Sequence, residues 1–282
     1  MLITQNYLLN SIHSSKPIAV DVFYVANHLP KPIVIFAHGF KGFKDWGHFN
    51  VVAQQFAQAG FVFVKFNFSH NGTTPQQPTD FADLEAFGNN NHIIELDDLK
   101  TVIDQLSSPT QTWVPATEIN TTQIYLIGHS RGGGIAIIKA AEDPRIRKLA
   151  TWAAVSKLGG WQFDTIDNWR NKGVVYVENA RTHQQMPLYY QLCETFNNNQ
   201  PRLDVQQAVQ HLKIPFLIIH GTNDSAVNVK AAHDMHLWNP QSQLLIIENA
   251  DHVFGAKHPW TLPNLPKDSQ LVVDSCIDFF SK

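Results

Sequence analysis

Continuous apolar runs and stretches of helical periodicity alternate along most of the chain. Pro32 to His38, with Ile33-Val34-Ile35-Phe36-Ala37 at its centre, is an unbroken apolar run that ends in His38-Gly39-Phe40, and Phe61 to Phe66 is a second. Runs of this kind predict strands of a parallel sheet covered on both faces. Between them, Phe49 to Ala59 predicts a helix with Gly60 as its C-terminal stop. Ahead of them, Ile18 to Tyr24 alternates loosely before the turn Asn27-His28-Leu29-Pro30 and predicts an early strand near the sheet edge. Asn67 to Pro78 is polar, with glycine and two prolines, and predicts a loop. His92 to Leu106 then places Ile93, Ile94, Leu96, Leu99, Val102, Ile103 and Leu106 at helical spacing, with acidic residues toward the start, where the helix dipole favours them.

The second half begins in the same way. Ile124 to Ile127 predicts a strand, Arg131 to about Ala141 a helix, and Leu149 to Val155 another buried strand. From about Lys157 to His211 the alternation stops. Trp161, Phe163, Trp169, Tyr176, Met186, Tyr189, Tyr190 and Phe196 lie there among many Asn and Gln residues, with helices expected near Leu188 to Thr195 and Val205 to Leu212. The pattern resumes in Ile214 to Gly221, a helix near Val227 to Met235, a strand from Ser242 to Ile247 and an amphipathic helix from Asp268 to Phe280. The expected fold class is α/β, a mostly parallel sheet with helices on both faces. Residues 1–156 and 213–282 form its core, and 157–212 is an insertion. Folded over the C-terminal edge of the sheet, where open α/β sheets place ligands, that insertion would be a cap. A peripheral excursion with its own small core is the other reading.

Gly128-His129-Ser130-Arg131-Gly132 stands where the strand-like run gives way to helix-like sequence. A serine flanked two residues away on each side by glycine, between a strand and a helix, is a nucleophile elbow: the bare glycines let the chain turn sharply and hold the hydroxyl in front of the sheet. Ser130 is thus the candidate nucleophile. It needs a base and a group to orient that base. His252 lies in Glu248-Asn249-Ala250-Asp251-His252-Val253-Phe254-Gly255, a loop just past a strand, at the edge where Ser130 emerges; His258 is its competitor. Asp224, in Gly221-Thr222-Asn223-Asp224 after the run Phe216 to Ile219, is the candidate acid that fixes the His252 tautomer. Asp224 as a mere helix cap, with Asp251 as substitute acid, is the alternative. The backbone N–H groups of Phe40 and Arg131 are the candidate oxyanion donors, since Gly39 permits close backbone approach and Arg131 opens a helix.

Composition narrows the partners. The 282 residues are 44% hydrophobic, enough for one large core, and 24 acidic against 21 basic residues leave a charge of −3 without the basic footprint of a nucleic-acid binder. Cys193 and Cys276 form no zinc spacing or disulfide framework, and His233 and His236 have no further ligands, so no metal and no cofactor is expected. No window approaches the roughly 18 uninterrupted apolar residues of a membrane span, and no leader pattern opens the chain. The expectation is a soluble cytoplasmic protein, monomer or homodimer, acting on a small molecule away from nucleic acid and membrane.

With these residues in hand, the chain resembles the α/β-hydrolase superfamily over nearly its whole length. It is most similar to the bacterial esterase and dienelactone-hydrolase-like branch, including compact cinnamoyl or feruloyl esterases. The likeness is carried by His38 to Trp46, Phe66-Asn67-Phe68-Ser69-His70-Asn71-Gly72, Gly128 to Gly133, His220 to Val227 and Asp251-His252-Val253-Phe254. It implies an acyl-enzyme on Ser130, Asp224 and His252 as triad partners, oxyanion donation by the Phe40 and Arg131 amides, and a cap formed by the segment after Val155. Two departures stand out. Asn67 and His70-Asn71-Gly72 replace an acidic residue and second glycine of many members, and Ser130 stands where dienelactone hydrolase uses cysteine. The expected reaction is hydrolysis of a carboxylic ester. A small-peptide hydrolase, for which Glu178 and Glu194 are the local glutamates available to hold an amino terminus, and a non-catalytic binding scaffold are the competing readings. Arg131 and Arg181 are candidate anchors for an acidic substrate.

Overall fold

A computed structural model describes residues 1–160 and 163–282. Among these the strands are β1 (Leu2–Asn10), β2 (Pro17–Val25), β3 (Lys31–Ala37), β4 (Val62–Phe66), β5 (Ile119–His129), β6 (Ile146–Trp152), β7 (Val174–Asn179), β8 (Gln184–Tyr189), β9 (Phe216–Gly221) and β10 (Gln243–Ile247). The helices are α1 (Phe49–Gln58), α2 (Leu84–Gly88), α3 (His92–Ser107), α4 (Arg131–Glu142), α5 (Phe163–Lys172), α6 (Gln191–Asn198), α7 (Val205–His211), α8 (Lys230–Trp238) and α9 (Lys267–Ser281). Eight strands form one sheet in the order β1-β2-β4-β3-β5-β6-β9-β10, while β7 and β8 pair apart from it. From β4 to β10 every pairing is parallel; β1 and β2 join antiparallel. The expected mostly parallel sheet is what forms.

Helices cover both faces. On one face α1 and α9 bury Val52, Phe56, Val272 and Phe280 against Phe36, Ile127 and Ile219. On the other, α3, α4, α7 and α8 bury Leu99, Ile135, Val209 and Met235 against Ile35, Leu126 and Ile218. Two-sided burial explains why the central strands read as unbroken apolar runs.

The early strand, β2, lies near the sheet edge as expected, and an unforeseen strand, β1, forms the edge itself. Its residues alternate between half-buried Ile3, Gln5, Tyr7 and Leu9 and exposed neighbours, and polar Gln5 within the inward set hides the period. Tyr7 anchors it, stacking on Trp113 with ring centroids 4.4 Å apart.

A buried ion quartet secures the loop after β3. Lys65 of β4 contacts Asp21 of β2 and Asp45 of the loop, each at 2.6 Å, and Lys44 of the loop contacts the same two carboxylates at 2.7 and 2.6 Å. The Lys65 side chain has no exposed surface and lies 5.4 Å from the Phe23 ring centroid.

A second buried carboxylate sits at the end of β1. Asp98 of α3 accepts hydrogen bonds from the Ser69 N–H (2.7 Å) and the Ser11 hydroxyl (2.8 Å). Burial outweighs these bonds and pushes its pKa up to about 6. An unfolded aspartate ionises near about 3.9, so this group's contribution to stability is fully present below about pH 4 and lost as pH rises through about 6. Asp98→Asn keeps the neutral shape at every pH. Its Tm is therefore expected to climb relative to the parent between about pH 4 and 7, then level off; a difference constant across a calorimetric pH series would contradict this.

The segment between β6 and β9 contains α5, the β7–β8 hairpin, α6 and α7. Trp161 lies outside the described residues. Met186 and Leu188 of the hairpin pack with Phe43, Phe81 and Phe87 of the core loops, and Trp169, Leu192 and Cys193 form a small cluster of their own. Helix α7 instead joins the main core through Val205 and Val209. The helix expected near Leu188 starts later, at Gln191, because Leu188 and Tyr189 belong to β8.

Candidate functional site

Strand β5 enters α4 through Ser130, whose backbone sits at φ 55°, ψ −123°, a region that costs a non-glycine residue about 1–3 kcal/mol. The glycines around it are needed for packing. A Cβ on Gly128 would lie 2.4 Å from the Gly132 carbonyl oxygen, and one on Gly132 2.3 Å from that of His38. The turn is held by the Ser130 N–H donating to the Trp152 carbonyl (2.9 Å) and the Ser130 carbonyl accepting from Gly133 (3.0 Å). Side-chain freedom is thereby removed from the backbone under the hydroxyl.

The loops after β9 and β10 are tied together. Thr222 N–H donates to Ile247 O, Asn223 N–H to Ala250 O, and Asn249 N–H to the Thr222 hydroxyl. Gly221 lets them approach, since a Cβ there would meet the Ala250 oxygen at 2.1 Å. This brings Asp224 to His252: Nδ1 and Oδ2 are 2.7 Å apart. Oδ1 accepts from the N–H groups of Ala226 and Val227, both at 2.8 Å. Asp224 therefore caps its turn and orients His252 at once, and α8 begins later than expected, at Lys230.

A second imidazole reaches the same carboxylate. His220 Nε2 lies 3.2 Å from Asp224 Oδ2 and 2.8 Å from the Val227 carbonyl. Both neighbours only accept, so the ring carries its hydrogen on Nε2. Burial would raise the Asp224 pKa, but hydrogen bonds from His220, His252 and the Val227 N–H prevail and hold it well below the usual carboxylate range. Asp224, with no exposed side-chain surface, is thus an anion facing two histidines.

His252 is fixed from its other side. His129 Nε2 is 3.0 Å from the His252 carbonyl and the two rings are 4.8 Å apart. Burial, with the His252 charge, lowers the His129 pKa to about 3, so His129 supports the loop as a neutral donor.

Gly39 packs directly on the serine; a Cβ there would lie 2.8 Å from Ser130 Cβ and 3.3 Å from Oγ. The Gly39 carbonyl oxygen is 2.9 Å from His38 Nδ1 and accepts from Gly42 N–H at 3.0 Å. In a trans peptide the next N–H points the opposite way, so these two bonds set the direction of the Phe40 N–H.

Ser130, Arg131, Phe40 and His252 line one cavity of about 460 Å³. Its remaining wall includes Val155, Leu158, Leu188, Leu192 and Val227, together with His92, Lys41 and Lys157. The structure thus brings Ser130, His252, Phe40 and Arg131 to the wall of one cavity, with Asp224 behind His252. Among the described residues no hydrogen bond within 3.5 Å joins Ser130 Oγ to His252, and such bonds commonly close only when substrate is bound.

The competitors lie elsewhere. His258 Nδ1 accepts from Gly47 N–H at 2.8 Å, and Asp251 accepts from Val253 and Gly255 N–H within its own turn. Arg181 is spent on Thr79 and Asp80. The Arg131 guanidinium pairs with Glu95 and lies 4.6 Å from the Phe40 ring centroid. Among the described residues Glu178 and Glu194 are not on the cavity wall, no group of three or more His, Cys, Asp or Glu is placed to hold a metal, and no helix is long and apolar enough to cross a membrane. His92, His220 and Glu95 were not singled out by sequence. His220, immediately before Gly221, lies in the His220 to Val227 stretch that carries the family likeness, but its contact with Asp224 depends on how the turn folds back.

A model of the dienelactone hydrolase family matches residues 20–282. The chain belongs to the dienelactone hydrolase family. Solved structures place it among α/β-hydrolase folds. Est1E from Butyrivibrio proteoclasticus shares 16% identity at a TM-score of 0.69, covering 98% of this chain and 97% of that one. The esterase domain of a Rhodothermus marinus protein shares 16% at 0.65, with 98% and 97% covered. Dienelactone hydrolase from Anabaena variabilis shares 17% at 0.59, with 99% and 97% covered. No curated protein matches the chain. Membership in the family makes the elbow, the two knitted loops and the cavity parts of a hydrolase scaffold.

Proposed function

We propose that this protein is a serine hydrolase that cleaves a carboxylic ester of a small molecule through an acyl-enzyme on Ser130. The observation that carries the reading is the 2.7 Å contact between Asp224 and His252, behind a cavity that Ser130 enters from a strained elbow. His252 takes the Ser130 proton as Oγ bonds to the ester carbonyl carbon. The N–H groups of Phe40 and Arg131 receive the oxyanion, each worth about 3 kcal/mol to such a transition state. On collapse the carbon–oxygen bond to the alcohol breaks and His252 protonates the departing oxygen. Water, deprotonated by the same ring, then attacks the acyl-enzyme and releases the acid. Asp224 stays ionised throughout and favours the imidazolium. Residues 157–202 serve as the cap, supplying Leu158, Leu188 and Leu192 to the substrate cavity, while α7 belongs to the core. The family, and the esterases among its structural neighbours, support this reading; among the described residues no Asp or Glu lines the wall to anchor a peptide's amino terminus.

A fluorophosphonate probe tests it. Stoichiometric labelling that mass spectrometry maps to the peptide bearing Ser130 is expected. A folded protein left unlabelled, or one turning over aminoacyl amides faster than p-nitrophenyl esters, would overturn the reading.

His220 gives a second measurement. His220→Phe removes a donor from Asp224 and from the Val227 carbonyl, and is expected to lower kcat/KM for esters by about tenfold, the scale of one hydrogen bond to a charged group. His220→Gln, with an amide N–H near the Nε2 position, should keep most of the activity. Equal losses in both variants would show that ring packing alone matters.

A further inference from the structure

One polar group on the cavity wall has no part in the proposed reaction. His92 opens α3 and lines the same cavity as Ser130, yet it is only 3% exposed. Its Nδ1 is buried without a partner and closed to any ligand; among the described residues no hydrogen bond reaches Nε2 either, which leaves Nε2 as the nitrogen open to a group in the cavity. The ring meets Phe196 edge-on, with centroids 6.0 Å apart. Burial, reinforced by the Arg131 charge, lowers its pKa to about 3, so the imidazole is neutral under working conditions. An unmet buried ring nitrogen lowers stability. A phenyl ring would fill this place against Phe196 without that cost, so the fold gains nothing from the nitrogens.

The surroundings say what they are for. Phe40, Val155, Leu158, Leu188, Leu192 and Val227 make most of the wall apolar. The cations nearby are committed or exposed: Arg131 to Glu95, Lys41 to the Glu178 carbonyl, Lys157 at the rim. A neutral imidazole offers one donor and one acceptor. A hydroxyl complements either tautomer. An ammonium group would be repelled by Arg131, and for a carboxylate the Arg131 charge is already taken by Glu95.

We propose that His92 is the specificity-determining residue of this cavity, hydrogen-bonding a hydroxyl carried by an otherwise apolar group of the ester substrate. The inference rests on the reading of Ser130 as nucleophile and extends it to the class of ester accepted.

The test uses matched esters with and without a hydroxyl, in series of increasing length on the acyl side (p-nitrophenyl esters) and on the alcohol side (acetates followed by pH-stat). The parent is expected to prefer one hydroxylated member over its match by about tenfold in kcat/KM, expressed in KM. His92→Phe should abolish that preference, slowing the hydroxylated ester about tenfold more than the plain one, and keep or raise Tm. His92→Gln should restore part of the preference. A parent indifferent to hydroxyls in both series, one preferring carboxylate-bearing esters, or a preference that survives in His92→Phe, would overturn the proposal. So would a lowered Tm in His92→Phe with both esters slowed alike, which marks a structural role. Fluorophosphonate labelling keeps the two readings apart: an unlabelled parent sinks the nucleophile assignment, whereas a labelled parent blind to hydroxyls sinks only the role of His92.

Discussion

Ser130→Ala is expected to lower kcat for ester hydrolysis by about 10⁶-fold, the scale seen when a nucleophile is removed from an intact serine hydrolase site, with Tm essentially unchanged. The large effect follows from chemistry that no neighbour can replace. His252 and Asp224 remain in contact in the variant, but a base without a hydroxyl to deprotonate has nothing to deliver to the carbonyl. The small structural effect follows from the geometry: among the described residues Ser130 Oγ makes no hydrogen bond, and the turn is held by its backbone to Trp152 and Gly133. Ser130→Gly should be as inactive and more stable than Ser130→Ala, because a φ of 55° with ψ −123° is open to glycine at little cost. Steady-state kinetics with calorimetry on both variants reads the two effects separately. Residual activity within tenfold of the parent in either variant removes Ser130 from the reaction.

Lys65→Met is expected to destabilise the protein by about 3–5 kcal/mol, the cost of breaking a buried ion pair by removing one partner, which for a chain of this size lowers Tm by roughly 10 °C. Lys65 is fully buried between Asp21 and Asp45. Without it, Lys44 alone must serve both carboxylates. Lys65 and Lys44 are also what hold Asp45 below the usual carboxylate range against its burial, so the loss should be smaller at low pH, where that carboxyl can take up a proton. Adding Asp21→Asn removes the one surplus charge and should recover part of the Tm. A single variant within about 2 °C of the parent would show that the quartet is not a stability element. Activity at moderate temperature should fall too, because Lys44 and Asp45 lie on the loop that carries Phe40.

Much of the fold was legible because burial on both faces writes strands as unbroken apolar runs, and the helices between them show their apolar stripe. The elbow was legible for a different reason: Gly128 and Gly132 mark approaches of 2.4 and 2.3 Å that no other residue allows. Ser130, Asp224 and His252 could then be proposed from their place at strand ends, and Asp224 does lie 2.7 Å from His252. What escaped was half-exposed. Strand β1 has one weakly apolar face, interrupted by Gln5, and α2 is a single short turn of helix. The β7–β8 hairpin did carry a signal in Val174-Val175-Tyr176-Val177, but it pairs only with itself, so no expected sheet position drew attention to it. Arg131 meets Glu95 by tertiary folding alone, and His220 meets Asp224, four residues on, because the turn after β9 folds back on itself. No spacing along the chain encodes them.

The rings of the inserted segment illustrate the same limit. Trp169 and Tyr190 pack edge to face at 5.9 Å inside the segment, and among the described residues the one aromatic ring on the cavity wall, apart from histidines, is Phe40. Aromatic richness there reflects the segment's own cohesion.

That cohesion has an evolutionary consequence. Because α5 and α6 keep a separate small nucleus of Trp169, Leu192 and Cys193, while the sheet is stabilised by other residues, the two regions can diverge at different rates. Leu188, which faces the cavity from the hairpin, can drift to a smaller or larger residue and open the protein to new compounds, with the sheet beneath it left unchanged.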